Sequence, residues 1–307
     1  MITLSEALER TGLSLQAVGD LVGLGKSAIS RVKSHDYPNW ENIERAIIQK
    51  MSEAKMFGDD VVMDDVKPGT LRVDPASFVP TQNVIAVNAL ANSLLDPTTT
   101  LTASVGMVTG SAGFGKTTAI QQFAAGNDQS VYVLFIEGYT LNMLVQKIAM
   151  ELTGFKQRTF DRNLAIIKEA TGIYRKLIII DESDRMPIRV IESLRNLNEY
   201  CGVPIMLVGE ESLIAKMETL PRLKSRVRKP EIVFKPITTI DVATYYQMAV
   251  GIDISGSLPV CQTLLRWANK DFRTLVNDAQ HIVATLNASG LSTLTEEVLN
   301  AYKPYRA

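Results

Sequence analysis

Gly110-Ser111-Ala112-Gly113-Phe114-Gly115-Lys116-Thr117 fits the spacing G-x-x-x-x-G-K-[ST] of a phosphate-binding loop. Residues 103–109 before it read as a short apolar strand, and residues 118–125 after it as a helix. Strand, glycine-rich turn and helix is the context in which this spacing carries chemistry. The three glycines let the backbone wrap closely, so that successive N–H groups point at phosphate oxygens. The helix adds its positive N-terminal end. Lys116 is placed to reach the β- and γ-phosphates of ATP, and the Thr117 hydroxyl to ligate Mg²⁺, with Thr118 continuing the same turn. The bland alternative is an ordinary glycine turn beside a surface lysine, and the flanking strand and helix argue against it.

Outward from the loop, residues 131–136, 203–208 and, more briefly, 231–234 read as strands, and residues 82–95, 141–152 and 162–171 as helices. Residues 177–180 are four consecutive apolar residues, the pattern of a strand buried on both faces. That strand runs into Asp181-Glu182, where open α/β sheets hold their ligands. Asp181 is therefore the candidate magnesium ligand, and Glu182 the group that orients an attacking water. With Lys116 they supply the charge neutralisation that phosphoryl transfer needs. The competing reading is that both acids merely cap the next helix. Strands alternating with helices predict an α/β fold, a P-loop NTPase with a doubly wound, mostly parallel sheet.

The chain has 307 residues, 46% apolar and 21% charged, with a formal net charge of −1. That composition supports a sizeable core, and the length allows one large domain or two to three small ones. The near-zero charge means that any nucleic-acid binding comes from local basic patches and not from a global field. No run spans a bilayer, so no membrane partner and a cytoplasmic location are expected. Two cysteines and two histidines outside any metal-ligand spacing make neither a disulfide framework nor a zinc site.

Residues 1–58 have helical periodicity, with Ser14 as a helix cap, a break at Gly23-Leu24-Gly25 and a second helix from Lys26. Residues 40–56 read as a closing helix. Residues 16–31 resemble the DNA-binding helix-turn-helix of the phage repressor type, in which Gly23 and Ile29-Ser30 are in place and Gly19 stands where alanine is commoner. The second helix would then offer Lys26, Ser27, Ser30, Arg31 and Lys33 to DNA. A helical docking module with solvated lysines remains the alternative. Residues 59–75, rich in Asp with Pro68, Gly69 and Pro75, read as a flexible acidic tether or a loop packed on a basic surface. The nucleotide domain is expected over 76–235. Four helices are expected over 236–307, with Arg273 opening the third. Pro221-Arg222-Leu223-Lys224-Ser225-Arg226-Val227-Arg228-Lys229 carries five basic residues in nine. It is a solvated face, a nucleic-acid contact or, in an oligomer, the source of an arginine for a neighbour's γ-phosphate.

The phosphate loop, the acid-ended strand at 178–182, Ser225-Arg226-Val227 and a helical C-terminal lid with Arg273 together resemble the AAA+ ATPases. The order of the helix-turn-helix, Phe78-Val79-Pro80-Thr81, Asp181-Glu182-Ser183-Asp184 and the 221–227 run resembles the target-DNA activators of the phage Mu B type, whose relatives are the TnsC-type and IstB-type regulators. The resemblance implies Arg226 as a finger acting in trans, with Arg222 as second candidate. It implies Arg273 as a sensor on the lid, and Phe78 and Thr81 at the adenine. It also implies ATP-dependent homo-oligomers, a helical filament or ring, on duplex DNA, which deliver that DNA to a DDE-type transposase. Lys147, Lys156, Arg158 and Arg162, with Lys168, Arg185 and Arg189, are candidate backbone contacts. Gly209-Glu210 departs from the pattern, since those activators carry Asn after the glycine. A carboxylate there either points away from the γ-phosphate or slows turnover. A replicative helicase loader and a nucleotide-switched helix-turn-helix transcription regulator are the alternatives.

Overall fold

A computed structural model of the protein describes residues 3–22, 24–37, 40–53, 70–98 and 104–301. Gly23, Ala103, residues 54–56 of the expected closing helix and 59–69 of the expected tether lie outside the described residues. The chain divides into two compact units, residues 1–79 with 236–307, and residues 80–235.

In the first unit, four helices, α1 (Leu4–Thr11), α2 (Leu15–Val22), α3 (Lys26–Lys33) and α4 (Trp40–Glu53), enclose a small core of Leu4, Leu8, Val18, Ile29, Val32, Ile47 and Met51. Thr3 and Glu6 exchange reciprocal bonds that cap α1. The chain turns tightly after α2, where Leu24 N donates to Gly19 O (2.9 Å). A Cβ at Gly19 would lie 2.3 Å from Leu24 O, so glycine is required there in place of the alanine commoner in repressors.

The second unit contains α5 (Gln82–Leu95), β1 (Val105–Thr109), α6 (Lys116–Ala125), β2 (Ser130–Leu134), α7 (Leu141–Thr153), α8 (Phe160–Ile173), β3 (Leu177–Asp181), α9 (Ile188–Cys201), β4 (Ile205–Val208), α10 (Ser212–Glu218), α11 (Pro221–Lys224) and β5 (Ile232–Val233). The five strands form one parallel sheet in the order β2-β3-β4-β1-β5. β1, β3 and β4 are buried throughout, as continuous apolar runs between helical layers must be. This order puts the carboxyl end of β4 between those of β1 and β3, so the segments following these three strands converge. Asn83 ties the start of α5 to the chain after β5 through bonds to Lys235 N (3.0 Å) and O (2.8 Å).

Completing the first unit are α12 (Thr239–Tyr245), a π-helical turn at Tyr246–Val250, α13 (Leu258–Trp267), α14 (Phe272–Ala288) and α15 (Glu296–Ala301). The stripe Leu275, Ala279, Ile282, Val283 and Leu286 is buried in their core, which also takes in Val79, so the boundary of the sheet-bearing unit falls at 80 instead of 76.

The tether expectation is corrected for residues 70–75. Leu71 and Val73 pack on this helical core. Leu71 N donates to Asn287 Oδ1 (2.9 Å), Asn287 Nδ2 donates to Leu71 O (2.8 Å), and Asp74 N donates to Ala249 O. Composition marks the stretch as polar, but alternate apolar residues and one amide side chain dock it like an edge strand. Asn287→Ala should leave both Leu71 backbone groups without their partner. A loss of about 1–3 kcal/mol in denaturant unfolding is expected, with faster hydrogen exchange at the Leu71 amide.

Candidate phosphate-binding site

β1 ends at Thr109, and the chain then turns through Gly110 (φ 151°), Gly113 (φ 81°) and Gly115 (φ 89°) into α6. These positive φ values are open to glycine and costly for other residues. No side chain caps α6, so its first-turn N–H donors are left for a ligand. The Lys116 side chain lies back along the loop, donating to Gly110 O (2.7 Å) and Ser111 O (2.9 Å). Burial lowers its pKa, opposed by the nearby carboxylates of Glu210, Asp181, Asp184 and Glu182, in that order.

In the first turn of α6, the Thr117 hydroxyl donates to Asp181 Oδ2 (2.8 Å) at the end of β3. Asp181 is 2% exposed. Its carboxylate also accepts from Tyr132 OH (3.1 Å) and from Glu182 N (2.9 Å). Burial raises its pKa and these three bonds oppose the rise. Tyr132, on β2, is a member of the site that sequence spacing gives no means of finding. Only the β2–β3 pairing brings it there.

Glu182 stands in left-handed backbone (φ 56°), which turns its side chain out of the strand line. It pairs with Arg185 (2.6 Å). Burial raises the Glu182 pKa, and the arginine pulls it back. Arg185 is thus a partner of the acid in the site as well as a candidate phosphate contact. Asp184 accepts from Glu210 N (3.0 Å), and Ser111 Oγ donates to Glu211 Oε1 (3.4 Å).

The residues present fit a nucleotide with magnesium. A glycine cradle, uncapped helix N–H groups and a buried ammonium suit phosphates, and the adjacent Thr117 and Asp181 oxygens suit a hard cation. Among the described residues no group of three or more His, Cys, Asp or Glu could hold a metal by itself. A magnesium ion here would need oxygens from its nucleotide.

The other expected site residues are dispersed. Val105 N donates to Arg226 O and Arg228 N donates to Val105 O, so the basic run sits at the start of β1, with the phosphate loop at its far end. Five strand residues separate them by roughly 16 Å, too far for Arg226 to reach the loop of the same chain. The Arg226 guanidinium is engaged by Glu199 and by Arg222 O (2.6 Å), while the Arg222 side chain is exposed.

Thr81 caps α5, accepting from Val84 N (3.3 Å), so its hydroxyl has a structural duty. Phe78 is half-buried beside Val79, and Arg273 is exposed in the first turn of α14. Residues 154–159 fold back along α7, held by Asn163 to Gln157 and Thr159 and by Asn142 and Gln146 to Arg158 O. Arg158 and Arg162 thereby stand near the start of α7, and Lys156 near its end, where Thr153 bonds to Phe155. Lys147 pairs with Glu151 (2.8 Å), and Lys168 lies over the Tyr200 ring. In the four-helix portion Lys26, Ser27, Ser30 and Lys33 are exposed on α3. Arg31 instead braces the following turn, donating to Asp36 O (3.0 Å) and lying over Tyr37.

Residues 99–217 match the family described as AAA domain. The chain is 33% identical over 135 residues to the Mu-like prophage FluMu DNA transposition protein B of Haemophilus influenzae, covering 40% of this chain and 46% of that protein. It is 27% identical over 172 residues to the ATP-dependent target DNA activator B of Escherichia phage Mu, covering 53% of each. The chain thus spans about half the length of the curated relatives it matches. Among solved structures, the Aeropyrum pernix ORC2 protein (ADPNP-ADP complexes) superposes with a TM-score of 0.50 at 14% identity, covering 80% of this chain and 70% of that one. The ORC1 protein of the same organism, in complex with DNA, gives 0.50 at 16%, covering 74% and 65%. These two likenesses speak to the fold alone. Residues 99–217 are thus similar to the AAA domain, and the chain resembles the Mu-type B proteins.

Because burial raises the Asp181 pKa, ionising this group costs folding stability at neutral pH. The cost is absent below its unfolded value of about 4 and builds as pH rises through the higher folded value. Asp181→Asn should therefore melt higher than the parent at pH about 8, with a smaller gain at pH about 4.5, read by thermal unfolding.

Proposed function

We propose that the chain is an ATP-dependent, largely non-sequence-specific DNA-binding ATPase. It assembles on duplex DNA, delivers that DNA to a DDE-type transposase, and is taken apart by hydrolysis. The observation that carries the nucleotide chemistry is the Thr117–Asp181 contact beside buried Lys116. The transposition role rests on the likeness to proteins named for it.

Bound Mg-ATP supplies the phosphoryl group and the charge on which the chain acts. Lys116 exchanges its two loop carbonyls for phosphate oxygens. Thr117 and Asp181 would hold magnesium, their mutual hydrogen bond giving way to it. Glu182, freed from Arg185, orients water for in-line attack. A finger comes from the next subunit, since the basic run and the phosphate loop lie at opposite ends of β1. Arg226 fills that role by leaving Glu199, and Arg222 is the second candidate. Exposed Arg158, Arg162 and Lys156, with the α3 residues of the helix-turn-helix, meet the DNA backbone, and Arg273 acts as a sensor from a helical lid.

Lys116→Ala should abolish ATP-dependent assembly on DNA, seen by electron microscopy with duplex DNA, ATP and ADP in parallel; assemblies that persist unchanged would overturn the mechanism. Glu182→Gln should slow hydrolysis by about 10²–10⁴-fold while trapping assemblies. Mixing Arg226→Ala with Lys116→Ala subunits should restore part of the DNA-stimulated hydrolysis that neither has alone, because each supplies the half-site the other lacks. No recovery on mixing would move the finger to Arg222.

A further inference from the structure

The turn that follows Asp181 and Glu182 is clasped by the segment that follows β4. Ser183–Arg185 form a single turn of 3-10 helix, entered through the left-handed backbone of Glu182. Arg185 N donates to Glu182 O (3.0 Å), and Ser183 Oγ ties the turn to Ile180 O (2.7 Å) on β3. The chain leaving β4 lies against it. A Cβ at Gly209 would meet Asp184 N at 2.8 Å, and Asp184 Oδ1 accepts from Glu210 N (3.0 Å). From α10, Lys216 Nζ then donates to Asp184 O and to Met186 O (2.8 Å).

Lys216 is half-buried, and two of its three N–H donors go to main-chain carbonyls of this one turn. Its base is fixed, because Leu213 and Met217 on the same helix are buried in the core of the sheet-bearing unit. The two carbonyls flank Arg185, whose guanidinium pairs with Glu182 (2.6 Å). Left-handed backbone is costly for a glutamate and persists only where its surroundings hold it. A carbonyl that loses its donor is costly as well, so the turn relaxes if the ammonium is removed. The phosphate loop is held by separate contacts, Lys116 to Gly110 O and Ser111 O and Thr117 to Asp181.

We propose that Lys216 is a positioning residue for hydrolysis, acting through the turn at 183–186 to hold the Glu182 carboxylate where it orients water. The inference rests on the nucleotide reading above and adds to it a residue that neither the loop spacing nor the strand-end acids contain. Gly209 N donates to Val108 O (3.1 Å), one strand residue before the loop segment begins. The clasp therefore also fixes the turn, and Glu182 with it, relative to the phosphate loop. A displaced water-orienting group slows the chemical step, while phosphate binding through the loop is kept.

ATP hydrolysis with duplex DNA and equilibrium binding of Mg-ATP, both on the full chain, test this. Lys216→Met keeps the apolar arm and removes the donors. It should lower kcat by roughly 10- to 100-fold and leave Mg-ATP affinity within about threefold. Lys216→Arg, whose guanidinium has donors for both carbonyls, should recover most of the loss. Added to Glu182→Gln, Lys216→Met should cost less than about threefold more, because the lysine acts through that acid. Should Lys216→Met fail to fold, Lys216→Gln, with its shorter arm, is read against the same criteria. An unchanged kcat, a matching loss of Mg-ATP affinity, an Arg variant no better than Met, or a full further loss on top of Glu182→Gln would overturn the proposal while leaving the ATPase reading intact. A parental chain that hydrolyses no ATP would instead overturn that reading, and this inference with it.

Discussion

The hydroxyl of Thr117 donating to the buried carboxylate of Asp181 is the contact on which the rest of the site depends. A carboxylate taken out of water is costly unless bonded. Asp181 is tolerated because the first turn of α6, the Tyr132 hydroxyl on β2 and the Glu182 amide all donate to it. Each donor comes from a different segment, so the bonds also align those segments. The loop after β1 and the acid at the end of β3 are held together across the intervening β4, whose pairing with both strands fixes their spacing.

That alignment concentrates negative charge. The charges of Glu210, Asp181, Asp184 and Glu182 all act on the buried Lys116 ammonium, against the effect of its burial. The protein meets this in three ways. Lys116 is bonded to loop carbonyls, Glu182 is paired with Arg185, and Asp184 spends its carboxylate on the Glu210 amide. Each of these contacts involves a group that a phosphate or a cation would also engage. The resting contacts are thus competitors of the ligand, and binding exchanges one set for another without building a site from nothing.

The two ends of the sheet differ in sign. Acids gather where the strands end, while Arg226 and Arg228 are bonded through their backbone to the start of β1. Parallel pairing enforces this separation, because every strand runs the same way. An arginine at one end and a phosphate loop at the other cannot meet within one chain. The Arg226–Glu199 pair neutralises the arginine locally.

Much of this was legible in the chain itself. The loop spacing from Gly110 to Thr117, the four apolar residues before Asp181 and the basic run after Pro221 are local patterns, and local patterns state backbone shape and charge. They specified a parallel sheet, the phosphate cradle and the two acids, because glycine freedom, apolar runs and strand-end carboxylates are decided over a few neighbouring residues. The tertiary structure decided what those residues touch. Tyr132 as partner of Asp181, Glu199 as partner of Arg226, Glu210 as the strongest influence on Lys116, and Leu71 docked on Asn287 each join residues far apart in sequence. The duties of Thr81 as a helix cap and of Arg31 as a turn brace are local contacts, at positions the resemblance had offered to ligands. The long-range pairings are set by strand order in the sheet and by helix packing elsewhere, and both arise from how whole layers bury their apolar faces, which no short window of sequence contains.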